Sequence, residues 1–169
     1  MEALVGADGL WRMEATLLRA SLGRCGVRGP DCTSGDKREG DGATPAGLLP
    51  LRRVLYRADR VPRPRAAVPV APLAPHDGWC DDPASADYNR AIRLPHPARC
   101  EALWREDELY DVIAVLGWND APPMPGRGSA IFLHVARPGG GPTEGCVALP
   151  LRDLQAVLAA GLTAVRVEL

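Results

Sequence analysis

Apolar positions come in short bursts along this chain, and most bursts are too brief or too closely alternating for a helix. Over residues 9–24 the alternation is loose and glycines punctuate it, so one or two short strands with glycine turns are predicted. The stretch SGDKREGDGATPAG (Ser34 to Gly47) is polar and turn-rich, and it leads into the short apolar piece LLPLRRVLYR. Between Arg60 and Ala74 stand Pro62, Pro64, Pro69 and Pro72. Proline has no N–H to give to a ladder, so this block reads as extended connection, not as central strand or helix. Further on the pattern is firmer. LWREDELYDVIAVLGWN (Leu103 to Asn119) ends in a strand predicted to carry Tyr110, Val112, Ala114 and Leu116 on one face. GSAIFLHVA is a second strand, an apolar run bounded by turn signals, and GCVALP is short and apolar. LRDLQAVLAAG places Leu151, Leu154, Val157 and Leu158 at helical spacing, with Gly161 fit to stop the helix. TAVRVEL closes the chain as a strand, and no internal repeat is visible. The predicted class is mainly β with minor α: a single β-rich domain over residues 1–169 with one late helix.

Composition narrows this picture. A chain of 169 residues fits one domain and can bury about two thirds of its unfolded surface. With 4 Trp, 3 Tyr and 1 Phe, the core must rest on Leu, Val, Ala and Ile. The 18 glycines and 17 prolines imply many short elements joined by loops. A net charge of −1 and the lack of a basic run interleaved with aromatics argue against a nucleic-acid partner. The Arg-rich piece RADRVPRPR (Arg57 to Arg65) reads as a solvated connection stiffened by Pro62 and Pro64. Five cysteines are an odd count for a secreted disulfide scaffold, and a Cys25–Cys32 pairing stays open. The opening MEALVGADGLWRMEATLLRA lacks the basic start and apolar core of a secretory signal, and no apolar run is long enough to span a membrane.

Chemistry concentrates at GSAIFLHVARPGGGPTEGCVALP, where eleven residues separate His134 from Cys146. If 129–136 and 145–149 are neighbouring strands, the imidazole and the thiol come within reach of one another. An adjacent imidazole can then pull the thiol pKa below the free-cysteine range and expose a thiolate nucleophile. Gly145 lets the backbone turn tightly, and the amides of Gly145 and Cys146 could form an oxyanion hole. A buried structural cysteine beside a satisfied histidine is the plainer reading of such a pair. Other clusters are weaker. His76 and Cys80 with Cys25 and Cys32 fit no common zinc spacing, Asp77, Asp81 and Asp82 lack an EF-hand pattern, and Glu39 and Asp41 sit in a polar turn. No metal and no cofactor is therefore expected. Trp79, Trp104 and Trp118 read as packing residues rather than a sugar platform.

Taken with their neighbours, these segments resemble a known family. IFLHVARP followed by TEGCVAL is similar to the catalytic segment of the L,D-transpeptidase (YkuD-type) family. KREGDGATPAG resembles its Thr-Pro-x-Gly turn, matched at Thr44, Pro45 and Gly47. DGWCDDPASADYNR and LWREDELYDVIAVLGWND look like the middle region of a bacterial branch that lacks signal peptides. The likeness runs from about Leu22 to Leu158. It implies a β-rich fold with Cys146 as nucleophile and His134 as general base, oriented by a backbone carbonyl. Thr143 and Gly145 would shape the turn and the oxyanion side. The implied partners are peptidoglycan stem peptides, as acyl donor and amine acceptor, with carbapenems as inhibitors that acylate the same cysteine. A monomer is expected. The substrate implies the cell envelope or periplasm, while the absence of a signal leaves a cytoplasmic place open.

Three positions depart from the family pattern. Only eight residues lie between His134 and Thr143, Glu144 replaces a second histidine, and Ala148 stands where Asn or Arg is usual. Tyr88, Asn89 and Arg90 are candidates for the substrate contacts that Ala148 cannot make. Two other functions stay open beside the transferase: a hydrolase that trims stem peptides, and a module that binds them without turnover.

Overall fold

A computed structural model describes residues 1–29 and 36–169. Fourteen short strands and one helix are found among them. The strands are β1 (Glu2–Val5), β2 (Leu10–Met13), β3 (Thr16–Arg19), β4 (Val27–Arg28), β5 (Thr44–Pro45), β6 (Gly47–Tyr56) and β7 (Val70–Pro72). They continue as β8 (Asp77–Cys80), β9 (Ala91–Arg93), β10 (Cys100–Ala102), β11 (Val112–Leu116), β12 (Phe132–Val135), β13 (Val147–Leu149) and β14 (Ala164–Val167). The helix α1 spans Leu151–Ala159.

One sheet dominates, in the order β13-β12-β11-β6-β14-β1-β2-β3, with β7 alongside β6. Its two ends meet. Ser21, just past β3, exchanges both backbone hydrogen bonds with Ala148 of β13, at 2.8 and 2.9 Å. The sheet is thereby almost closed into a barrel, which leaves few free edges to attract other chains. A second, three-stranded sheet, β10-β8-β9, lies apart from this one.

The two faces of β11 and β12 explain why these strands are apolar at every position except His134. Successive side chains point to opposite sides. Val112, Ala114, Leu116, Leu133 and Val135 face a core shared with Leu154, Val157 and Leu158 of α1. Ile113, Val115 and Phe132 face a second core with Trp79, Leu103 and Tyr110. Phe132 takes the edges of Trp79 and Tyr110 at centroid distances of 5.3 and 5.9 Å. A strand covered on both faces spares few positions for polar residues, and in β12 His134 takes one that borders a cavity.

Several local expectations change. Tyr110 does not share a face with Val112, because β11 starts at Val112 and the turn before it sends Tyr110 into the other core. The proline-rich block contains a strand after all: β7 pairs in parallel with one side of β6, with Pro72 as its last residue, where no further N–H is needed. Arg57 is buried rather than solvated, bonded to Asp59 through both Nε and Nη2 and stacked 3.7 Å over the Trp104 ring. Asp77 to Cys80 forms the central strand of the small sheet, with Cys80 fully buried. The helix falls where its spacing predicts. Asp153 in the first turn suits the helix dipole, and Gly161, at φ +96°, follows its end.

Since α1 holds the β12–β13 edge through its buried face, Leu158→Ala should lower the unfolding free energy by about 2–5 kcal/mol. The exposed Arg152→Ala control should change it by less than about 0.5 kcal/mol in the same denaturant titration.

Candidate functional site

The strands β12 and β13 run parallel, with Leu133 opposite Val147 and His134 opposite Ala148. Cys146 immediately precedes β13, so alternation places it on the face of Phe132, His134 and Ala148. Its sulfur is buried. The Phe132 N–H points to Sγ at 3.4 Å, and the thiol donates to the Ala130 carbonyl at 3.3 Å.

The turn that presents this sulfur is held from several sides. Gly145 N–H donates to Thr143 Oγ1 at 3.1 Å, and that hydroxyl donates to the Cys146 carbonyl at 2.6 Å. Leu22 and Arg24 bracket Thr143 with backbone hydrogen bonds of 2.9 and 2.8 Å. Thr44 Oγ1 accepts from Gly23 N–H at 2.8 Å and donates to the Cys146 carbonyl at 3.4 Å. Gly145 sits at φ +135°, and a Cβ there would lie 2.8 Å from the Ala43 carbonyl oxygen. Both conditions demand glycine. Because its amide is spent on Thr143, Gly145 cannot supply the first donor of the expected oxyanion hole. Among the described residues the Cys146 amide has no hydrogen-bond partner and keeps that capacity.

His134 lies on the same cavity. Its Nδ1 is 2.8 Å from the Val135 carbonyl, which can only accept, so Nδ1 carries the proton and Nε2 keeps its lone pair. The ring meets Tyr110 edge-on at 5.3 Å, and the Tyr110 hydroxyl donates to Glu101 at 2.5 Å. Burial pushes the His134 pKa down to about 4, with Arg105 and Arg137 acting in the same direction. Burial pushes the Cys146 thiol up to about 12, aided by the nearby Glu101 carboxylate. No hydrogen bond joins the two side chains among the described residues. Burial thus favours a neutral thiol and a neutral imidazole over the thiolate expected from the sequence, since neither charge is hydrated here.

The cavity has a volume of about 390 Å³, and His134, Thr143, Cys146 and Ala148 all border it. Charge of both signs surrounds them: Lys37, Arg99, Arg105 and Arg137 against Glu39, Asp81, Glu101 and Glu144. Most of the cations are engaged. Lys37 pairs with Asp41 at 2.8 Å, Arg99 with Asp81 at 3.0 Å and Arg105 with Asp107 at 2.6 Å. Arg137 stands exposed at the rim with no ion pair among the described residues. Glu144 turns outward to Arg24 at 2.8 Å, and Ala148 is buried.

Tyr88, Asn89 and Arg90 do not border the cavity. Tyr88 and Asn89 instead brace the segment beside it. The Tyr88 hydroxyl donates to Glu39 at 2.5 Å and accepts from Gly128 N–H at 3.0 Å. Asn89 Oδ1 accepts from Trp79 Nε1 at 2.9 Å and from Ala130 N–H at 3.1 Å. Their reach to Cys146 is thus indirect, through the Ala130 carbonyl that receives the thiol. Arg90 is exposed. Sequence reasoning missed Glu101, Arg105 and Lys37 at the cavity, because each is a lone charged residue whose place depends on distant strand pairing. Of the cysteines once weighed for metal binding, Cys25 and Cys80 are free thiols, and Cys32 lies outside the described residues. Cys80 lies beside His96 and Cys100, a grouping that no sequence spacing suggested.

This arrangement can take up a peptide carbonyl beside a buried thiol, with a basic nitrogen in the same cavity. The family model of the L,D-transpeptidase catalytic domain matches residues 10–167. The chain belongs to that family, whose members act on peptidoglycan stem peptides. Searches of curated proteins and of solved structures give no match for the chain.

A buried neutral histidine has a consequence for stability. Its folded pKa of about 4 lies below the unfolded value near 6.5, so between these the unfolded chain binds more protons. The resulting stabilisation is complete above about pH 6.5 and is lost as pH falls toward 4, on the order of 3 kcal/mol in all. In chemical denaturation at pH 7, 5.5 and 4, His134→Gln should show a shallower acid loss than wild type. Parallel losses in the two proteins would mean that His134 is not buried in its neutral form.

Proposed function

We propose that this protein is a cysteine acyltransferase that cuts and re-forms peptide bonds in peptidoglycan stem peptides through a thioester on Cys146. The observation that carries this reading is the shared cavity, which Cys146 and His134, its Nε2 unprotonated, both border from one sheet face. Family membership supports the substrate class.

Chemistry starts from the neutral pair. As the donor carbonyl arrives, the thiol leaves the Ala130 carbonyl and gives its proton to His134 Nε2 while sulfur bonds to carbon. The charge develops on the carbonyl oxygen, where the Cys146 amide is free to donate. Collapse breaks the C–N bond, and protonated His134 returns its proton to the leaving amine of the terminal D-residue. In the second half, His134 takes a proton from the acceptor amine as it attacks the thioester, and protonated His134 gives that proton to the departing sulfur, which restores the neutral pair. Water in place of the amine makes the same enzyme a hydrolase. Burial disfavours both charged forms, so proton transfer and attack are coupled rather than sequential. Mixed charge around the cavity suits a substrate that carries both carboxylates and ammonium groups, and Arg137 has no ion pair to give up among the described residues.

The decisive assay uses purified muropeptides with tetrapeptide stems, with and without an amine acceptor. Wild type should release the terminal D-residue and give cross-linked or exchanged product, whereas Cys146→Ala and His134→Ala should lose at least about 100-fold in rate. A carbapenem should add its mass to wild type and not to Cys146→Ala. Stem-peptide binding with neither product nor carbapenem adduct would instead identify a binding module.

A further inference from the structure

The small sheet carries a cluster on the side away from the catalytic cavity. Cys80 of β8 and Cys100 of β10 are direct cross-strand partners. Both backbone groups of Cys80 are bonded toward the β9 side, to Arg90 and Asn89. The two cysteines thus form a pair of the kind in which side chains approach closely. Their neighbours Asp81 and Glu101 border the cavity, so alternation turns the two sulfurs to the opposite face. His96, from the loop between β9 and β10, closes over that face. Its Nδ1 lies 3.5 Å from Cys100 Sγ, and one ligand atom each from Cys80, His96 and Cys100 falls within 4.8 Å of the others.

We propose that Cys80, His96 and Cys100 form a zinc site with three protein ligands and a fourth position for water. Ligand atoms on tetrahedral zinc lie roughly 3.5–3.8 Å apart, given bonds of about 2.3 Å to sulfur and 2.0 Å to nitrogen. The Cys100–His96 separation already meets that spacing, and the cluster needs to contract by no more than about 1 Å elsewhere. Two thiolates and an imidazole select zinc over the oxygen-seeking magnesium and calcium. The imidazole is also oriented for the task. Its Nε2 lies 3.2 Å from the Asp87 carboxylate, which can only accept when ionised, so Nε2 holds the proton and Nδ1 offers a lone pair toward the sulfurs. A carboxylate behind a histidine is the usual support for a metal ligand. The Ala98 N–H now points at the same Nδ1 from 3.2 Å, and this long contact gives way when metal binds.

The charge balances. Binding releases one proton from each cysteine to solvent, and two thiolates then cancel the two charges of the ion. A neutral complex suits a site in which Cys80 is fully buried. Zinc here locks β8, which leads into Asp81, against β10, which carries Glu101, and takes no part in the cysteine chemistry. The inference is independent of the transferase reading.

Cobalt(II) titration tests it in protein whose remaining cysteines are removed (Cys25→Ser, Cys32→Ser and Cys146→Ala). One equivalent of Co²⁺ should give a sulfur-to-cobalt charge-transfer band, displaceable by Zn²⁺, and bound Zn²⁺ should shield both thiols from a disulfide reagent. The band should vanish in Cys100→Ser. Asp87→Asn, an exposed change that leaves the core intact, should weaken Co²⁺ binding by roughly 10- to 100-fold. Thiols that react equally with and without Zn²⁺, in protein of normal circular dichroism, would overturn the site. So would non-reduced protein lighter by two hydrogens with Cys80 joined to Cys100, which would make the pair a disulfide instead.

Discussion

The position of one sulfur rests on one buried hydroxyl. Thr143 Oγ1 accepts from the Gly145 amide and donates to the Cys146 carbonyl, so the four residues from Thr143 to Cys146 are tied into a single hydrogen-bonded loop. Within the segment itself Gly145 has no side chain and Glu144 faces outward to Arg24, so the remaining support comes from Thr44 and from the backbone of Leu22 and Arg24. The chain from Ser21 to Arg24 then fastens this loop to the far end of the sheet, through Ala148 on one side and Thr143 on the other. Barrel closure and the presentation of Cys146 are therefore the same event. A break at Ser21–Ala148 would loosen the sheet and the site together.

That closure also decides the protonation of the site. By covering β12 on both faces, the fold removes water from His134 and Cys146, and burial is the leading cause of both pKa shifts. The result is opposite to the electrostatic activation that a cysteine beside a histidine suggests. The Phe132 amide on the sulfur and the Val135 carbonyl on the imidazole favour the charged forms, but burial outweighs both. Storing the thiol neutral keeps an otherwise reactive sulfur unreactive until a carbonyl and its developing charge are present. The Val135 carbonyl completes the arrangement, because it fixes the tautomer without placing a second charge nearby.

What could be read in the sequence was the chemistry written in one short stretch. His134, Thr143, Gly145 and Cys146 lie within thirteen residues, and while the spacing alone left a buried structural cysteine as the plainer reading, the family resemblance implied their roles. The strands at 132–135 and 147–149 and the helix at 151–159 were equally legible, since each carries its own period. Features set by distant pairing were not. Tyr110 looked like a continuation of β11, yet the turn before that strand reverses its face. Tyr88 and Asn89 looked like substrate contacts, but they brace Gly128 and Ala130 from forty positions away. The His96–Cys100 spacing gained meaning only when β10 was seen to pair with β8 and bring in Cys80.

The central claim is that Cys146 and His134 rest as a neutral pair, and alkylation of Cys146 by iodoacetamide against pH tests it most directly. The expected rate at pH 7–8 is low and still climbing beyond pH 9, with no titration near the free-thiol value of about 8.5, and it changes little in His134→Ala. A midpoint below 8.5 that disappears in His134→Ala would contradict the account, because it would mean that the thiolate and the imidazolium coexist before any substrate binds.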